Sequence, residues 1–254
     1  MIKPKVKEIF SKEGMEWLRG LELGREERIE MDICLETLKK VEEEKEEVEE
    51  EIKRQAIEDE DVLRLMQIPG INLLSGFIIK AEIGEIGRFS NPGKLASYAG
   101  LVPSIHQSNQ KAYTGRITKE GRRLLRWILI QCGNVGSRIN VQFKGFYQRI
   151  RRKKGHNVAV VAVGRKMLVV IWYILNGYIY EYIEGSRYAK KILDCSWSIG
   201  KEINPKGARE TLKEAFGIIG YRDLIDELDG ISLNKIKKDK MVMYKLDKIR
   251  GVKG

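Results

Sequence analysis

The sequence predicts a mainly α protein: a long coiled-coil helix followed by a helical domain that contains a helix-hairpin-helix-like element. Three observations carry that prediction. Residues 25–57 contain no Pro or Gly, and apolar residues recur there at 3-4-3-4 spacing. Residues 157–183 are strongly apolar with helical periodicity. Strand-like alternation is scarce throughout.

Taken in order, residues 1–24 form a lead-in. Lys3, Lys5 and Lys7 are followed by Phe10, Trp17, Leu18, Leu21 and Leu23, enough for a small apolar patch. Residues 25–60 read as the coiled coil. Met31, Cys34, Leu38, Val41, Lys45, Val48, Ile52 and Gln55 trace its seam, and residues 42–51 crowd its flanks with acid. A lone solvated helix is the plainer reading, but so narrow a seam calls for a partner helix, in the chain or in a second copy.

Residues 61–185 read as the helical domain. A short helix begins at Val62 and is stopped by Pro69, while Gly70 permits the positive φ of a tight reversal. Asn72 is placed to cap a second helix that runs to Ile83. In a helix-hairpin-helix the hairpin amides take a phosphate oxygen without reading bases, which makes Pro69 and Gly70 candidate backbone contacts. A plain αα-hairpin is the alternative.

A turn at Gly84–Phe89 precedes a helix over Lys94–Ala99, opened by Asn91-Pro92-Gly93 and closed by Gly100. Ser104–Thr114 reads as a polar loop. Thr118 signals the cap of the next helix, which carries Leu124, Leu125, Ile128 and Leu129. Arg116, Lys119, Arg122, Arg123 and Arg126 cluster at its start, with Glu120 the only acid among them. Trp127 is assigned to the core. From Arg138 to His156 there are seven Lys and Arg, including Arg151, Arg152, Lys153 and Lys154, and no acid. This stretch is either a solvated helix end or a backbone-binding strip whose affinity falls steeply with salt. Asn157–Ile183 is the expected central helix, with Gly164 admitting a close neighbour. Residues 186–254 form a helical extension and basic tail, with helices expected over 205–216 and 221–228 and a basic run over 235–253.

The totals set bounds. The chain has 254 residues, 43% of them hydrophobic, room for one large or two small domains with a true core. Its net charge of +11 and pI near 9.4 favour a polyanionic partner. Residues 1–60 hold 12 Lys+Arg against 20 Asp+Glu, and residues 61–254 hold 35 against 16. An acidic arm is therefore joined to a cationic body. Cys34, Cys132 and Cys195 stand far apart with no metal-binding spacing, as in a reducing, cytoplasmic setting. The start lacks the apolar segment of a signal peptide. The most apolar run, Met167–Leu175, is too short to span a bilayer and is preceded by Arg165-Lys166, so no membrane is expected.

Little acid–base chemistry is available. Two-metal phosphoryl transfer needs clustered carboxylates. In the body, Asp61, Glu82, Glu85 and Glu120 are followed by no acid until Glu181, and they form no such set. His106 and His156 are the only imidazoles. No metal site is predicted. What remains is a serine nucleophile, which needs cations to hold transition-state charge and a group to take its proton. Ser108 and Ser104 are equally eligible on composition. Lys111, Arg116, Lys119 and Arg122 supply cations, and His106 is a candidate base; an ordinary loop serine is the plainer reading.

An ordered set of residues runs along the chain: Ile68-Pro69-Gly70-Ile71, Glu82-Ile83-Gly84 with Arg88-Phe89, Lys94 through Pro103, Gln107-Ser108, Ile117-Thr118-Lys119-Glu120-Gly121 with Leu125-Arg126, and Gly155 to Ala162 with Arg165 to Leu168. The set resembles the C-terminal part of the insertion-sequence "one-ten" transposases, also called bridge-RNA-guided serine recombinases, over roughly Ile9 to Ile183. In that family a resolvase-like DEDD nuclease domain comes first, then a coiled coil, then a helical domain with the reactive serine. The resemblance implies that residues 25–57 are that coiled coil and that Ser108 joins covalently to DNA. The family usually has a small residue, often Gly, after that serine, and Asn109 stands here. With about eight residues ahead of the family-like segment, the metal-binding domain is expected to be absent. Mg²⁺ is then expected only with that missing domain, and no cofactor in this chain.

The functional expectation is a DNA-binding transposase or recombinase region that supplies a serine nucleophile for strand exchange and is inactive alone. Its expected partners are DNA, a guide RNA, and a second copy or a full-length transposase met through the coiled coil. The alternatives are a non-catalytic nucleic-acid-binding or regulatory partner of a full-length transposase, and a structural coiled-coil scaffold.

Overall fold

Caps and hydrophobic stripes account for ten α-helices and one two-stranded sheet among the described residues. The structure is a computed structural model. It describes residues 8–108, 111–198 and 205–221, with the backbone alone at 105–108, 111–114, 197–198, 205–206 and 208. The chain divides into two units, residues 1–51 and residues 52–254.

In the first unit, α1 (Lys12–Arg19) is capped by Ser11, whose Oγ accepts from the Gly14 amide at 3.2 Å. The long helix α2 (Arg25–Ile57) starts here. Near its start, the Arg28 guanidinium donates to the carbonyls of Arg19 (3.1 Å) and Leu21 (2.6 Å), which fastens the link between α1 and α2. The predicted seam positions Val41 and Val48 are 54% and 59% exposed.

The second unit opens with α3 (Glu60–Met66) and α4 (Leu73–Ile83), the two helices expected on either side of Pro69-Gly70. Asp59 caps α3 and pairs with Lys80 of α4. Asn72 caps α4 in a reciprocal box with Ser75, both bonds 2.8 Å. A 3-10 turn at Ile86–Arg88 leads to α5 (Pro92–Tyr98), with Asn91 as N-cap and Pro92 in the first turn. Strands β1 (Pro103–Ser108) and β2 (Lys111–Ile117) follow, then α6 (Arg123–Ile139), α7 (Val141–Lys154), α8 (His156–Leu175), α9 (Gly185–Ser198) and α10 (Pro205–Ile218).

The core is built around α8, which packs against α5, α6 and α7. Its crossing with α6 is close because glycines meet there: a methyl on Gly133 would lie 3.0 Å from the Gly164 amide nitrogen. Leu125, Leu129, Val163, Met167, Leu168 and Ile171 are buried at the centre. A second apolar cluster lies where α3 meets α9 and α10. In it the buried Tyr188 hydroxyl donates to the Leu63 carbonyl at 3.2 Å and the ring packs edge-on against Phe216. At 20 residues α8 is long and apolar enough to cross a membrane, longer than the run at Met167–Leu175 suggested. One of its faces is buried in the core.

Several expectations need correction. The polar loop at 104–114 is instead an antiparallel hairpin, in which Ile105 pairs with Thr114 and Ser108 with Lys111. The helix after it begins at Arg123, not at Thr118, because residues 118–122 first run back past the end of α5. Trp127 is 52% exposed rather than core. Two residues beyond buried Leu125 it points about 200° around the helix, away from α8. The central helix stops at Leu175, where Gly177 takes a positive φ of 88° and the Tyr178 amide bonds back to the Tyr173 carbonyl. Helix α9 was not anticipated. The helix expected over 221–228 and the run over 235–253 lie outside the described residues, Tyr221 aside.

Candidate nucleic-acid interface

The hairpin rises from a braced stem. Main-chain bonds join Thr118 N to Val102 O (2.9 Å), Lys119 N to Gly100 O (3.3 Å) and Arg122 N to Tyr98 O (2.9 Å). Gly100 and Lys119 both take positive φ to make this crossing. Two arginines lock it. Arg122 binds the Glu82 carboxylate in a fork, Nε at 3.0 Å and Nη2 at 3.2 Å, and that pairing raises its pKa further. Arg126 donates to the Ala99 carbonyl at 3.1 Å, at the C-terminal end of α5. Arg88 lies over the rings of Phe89 and Tyr98, each 4.6 Å away.

The predicted cations therefore separate into two groups. Arg122 and Arg126 brace the stem. Arg116, Lys119 and Arg123 are exposed, and no described carboxylate pairs with them. The backbone places Lys111 opposite Ser108 at the closing end of the hairpin; residues 109–110 lie outside the described residues.

Arg122→Ala leaves the Glu82 carboxylate, 14% exposed, without its partner. It is expected to lower the melting temperature. Arg123→Ala is expected to leave melting unchanged while weakening oligonucleotide binding and reducing its salt slope by about one. Thermal melts beside binding titrations over a salt series check both. An Arg122→Ala protein that melts like the parent would show the pair to be idle.

The α3–α4 turn packs into the body. Pro69 is buried, and the Gly70 side of the turn sits against Cys132 and Gly136 of α6. Its Ile68, Ile71 and Asn72 amides are engaged within the turn. On the carbonyl side, Lys191 of α9 donates to Met66 O (2.7 Å), Ile71 O (2.6 Å) and Ile68 O (3.2 Å). Pro69 and Gly70 thus pack against α6.

The second predicted basic strip ends α7. Arg151, Arg152, Lys153 and Lys154 are exposed in its last turn, where cations also suit the negative end of a helix. Arg149 and Lys166 lie over Phe146 at 5.3 and 4.9 Å. Among the described residues, no three His, Cys, Asp or Glu side chains come together.

Residues 62–148 match the model of the Transposase IS116/IS110/IS902 family. This part of the helical body resembles a transposase-family domain. The match runs from α3 through the hairpin and α6 into α7. The chain is 32% identical over 136 residues to the transposase for insertion sequence element IS1111A of Coxiella burnetii, covering 50% of this chain and 36% of that protein. With the transposase for insertion sequence element IS1328 of Yersinia enterocolitica it shares 25% over 143 residues, 51% of this chain and 40% of the relative. A probable family 20 transposase of Pseudomonas aeruginosa is 27% identical over 137 residues, 51% and 39%. The matches thus span well under half the length of these curated relatives.

Sequence reasoning missed two residues of this body. Glu82 was weighed only as a metal ligand, and it braces Arg122 from 40 positions away. Lys191 fell where the sequence signals fade, and nothing local marks it as the holder of a turn 120 positions earlier.

Proposed function

We propose that this chain acts in transposition, its body gripping the sugar-phosphate backbone of DNA and presenting Ser108 as nucleophile. The reading rests on one observation: a hairpin inside the transposase-family segment carries Ser108 in register with Lys111, above a stem with exposed Arg116, Lys119 and Arg123. In the proposed step the Ser108 oxygen forms a bond to phosphorus and the bond from phosphorus to one strand oxygen breaks. The serine proton passes to a base and the departing oxygen gains one. Lys111 and the stem cations hold the charge that builds on the phosphoryl oxygens.

A second reading, a non-catalytic partner of a full-length transposase, is favoured by the exposed seam positions Val41 and Val48 on α2. One experiment separates the two. The chain is mixed with a full-length family transposase and its DNA, then resolved under denaturing conditions. A protein–DNA adduct on this chain, lost in Ser108→Ala, is expected. Binding that persists with no adduct would leave the partner reading, and no salt-dependent binding at all would reject both.

A further inference from the structure

A recess of about 380 Å³ lies between α6 and α7, beside the start of α8. The turn at Asn140 folds α7 back along α6; its side chain accepts from the Gln142 and Phe143 amides and donates to Glu184. This places Arg138 of α6 and Lys144 and Arg151 of α7 around one opening. No carboxylate lines it, and no described carboxylate pairs with any of the three. Their neighbours are neutral. Arg138 donates to Asn134 Oδ1 at 3.3 Å, and Arg151 lies 5.9 Å from the Tyr147 ring centre. The Tyr147 hydroxyl and His156 Nδ1 are 2.7 Å apart on another wall, and Gln148 adds an amide.

Three like charges around one recess repel each other, and an anion relieves that repulsion. The charge count and the shape together select the anion. A phosphodiester carries one charge and belongs to a chain that must continue in both directions, which suits the open row Arg152, Lys153 and Lys154. A phosphate monoester carries between about 1.5 and 2 charges near neutral pH. It ends a chain, so it can enter a recess. The volume sits low in the range of about 300–1,000 Å³ typical of ligand pockets, enough for a phosphate with its sugar but not for a duplex.

We propose that this recess binds a terminal phosphate, the monoester of a free nucleotide or of a polynucleotide end. It rests on the nucleic-acid reading of the body and adds a subsite distinct from the hairpin. The test uses the full chain and a labelled single-stranded oligonucleotide bearing either a phosphate or a hydroxyl at its end. The phosphorylated end is expected to bind about tenfold tighter. Arg138→Ala and Lys144→Gln should each remove most of that advantage without changing the melting temperature. Adenosine monophosphate in excess identifies the source: competition assigns the recess to mononucleotides, and its absence with the advantage intact assigns it to strand ends. Equal binding of the two ends, with no mononucleotide binding, would overturn the subsite while leaving DNA binding in place. Failure of every oligonucleotide to bind in dilute buffer would sink the broader reading instead, and the mononucleotide titration would still decide the recess.

Discussion

Gly70→Ala is expected to lower the melting temperature by about 10 °C, a loss of roughly 2–5 kcal/mol from two sources. Gly70 has φ of 98°, where an L side chain costs about 1–2 kcal/mol. The added methyl would also lie 2.5 Å from the Cys132 carbonyl oxygen and 2.8 Å from the Gly136 nitrogen. Both are backbone atoms of α6, so neither can swing aside, and overpacking of this kind costs about 1–3 kcal/mol more. Against a total stability of about 5–15 kcal/mol this is a large fraction. Gly177→Ala separates the two terms. Its φ of 88° is similar but no atom lies within 4 Å of the added carbon, so only the backbone term applies. Equal drops in the two variants would mean that the α3–α4 turn does not bear on α6 as the packing implies.

That same turn shows what the sequence could and could not reveal. Its helices and cap were legible because their causes are local: Pro69 and Gly70 break the chain, and Asn72 sits three residues before the Ser75 amide it caps. Its role was not legible. A helix-hairpin-helix pattern fits a turn that faces DNA as well as one that faces a neighbouring helix, and here the turn meets Cys132 and Gly136 of α6, more than 60 positions on. The hairpin at 103–117 was missed for a similar reason. Its residues are polar enough for a loop, and its anchors are main-chain bonds to Tyr98, Gly100 and Val102 rather than an apolar face. The cationic body was visible in the charge totals, but charge alone could not divide Arg122 and Arg126, which brace the stem, from Arg123, which is exposed.

Lys191→Met is expected to destabilise the protein, and by a margin that grows as the pH rises from 6 to 9. The Lys191 amine reaches the Met66, Ile68 and Ile71 carbonyls at the end of α3 and the turn. Burial, helped by the charge of Arg187, pulls its pKa down from 10.5 to about 7, against the opposing pull of Glu184 and the thiols of Cys132 and Cys195. Below pH 7 the group is charged in both states, and the folded protein bears the full cost of burying an ammonium. Between pH 7 and about 10 the unfolded chain holds a proton that the folded one has released, so this group's contribution to stability improves as pH rises. The neutral amine still has two N–H donors, which match the two short contacts at 2.7 and 2.6 Å, while Ile68 O already accepts from the Ile71 amide. Met removes those donors and leaves two carbonyls short of a partner, a loss of about 2–4 kcal/mol at pH 9. At pH 6 the parent carries its own burial penalty, so the gap is smaller. Denaturant melts of both proteins at pH 6, 7.5 and 9 measure it. A gap that narrows with rising pH, or none at all, would show that the lysine is not the clamp on this turn.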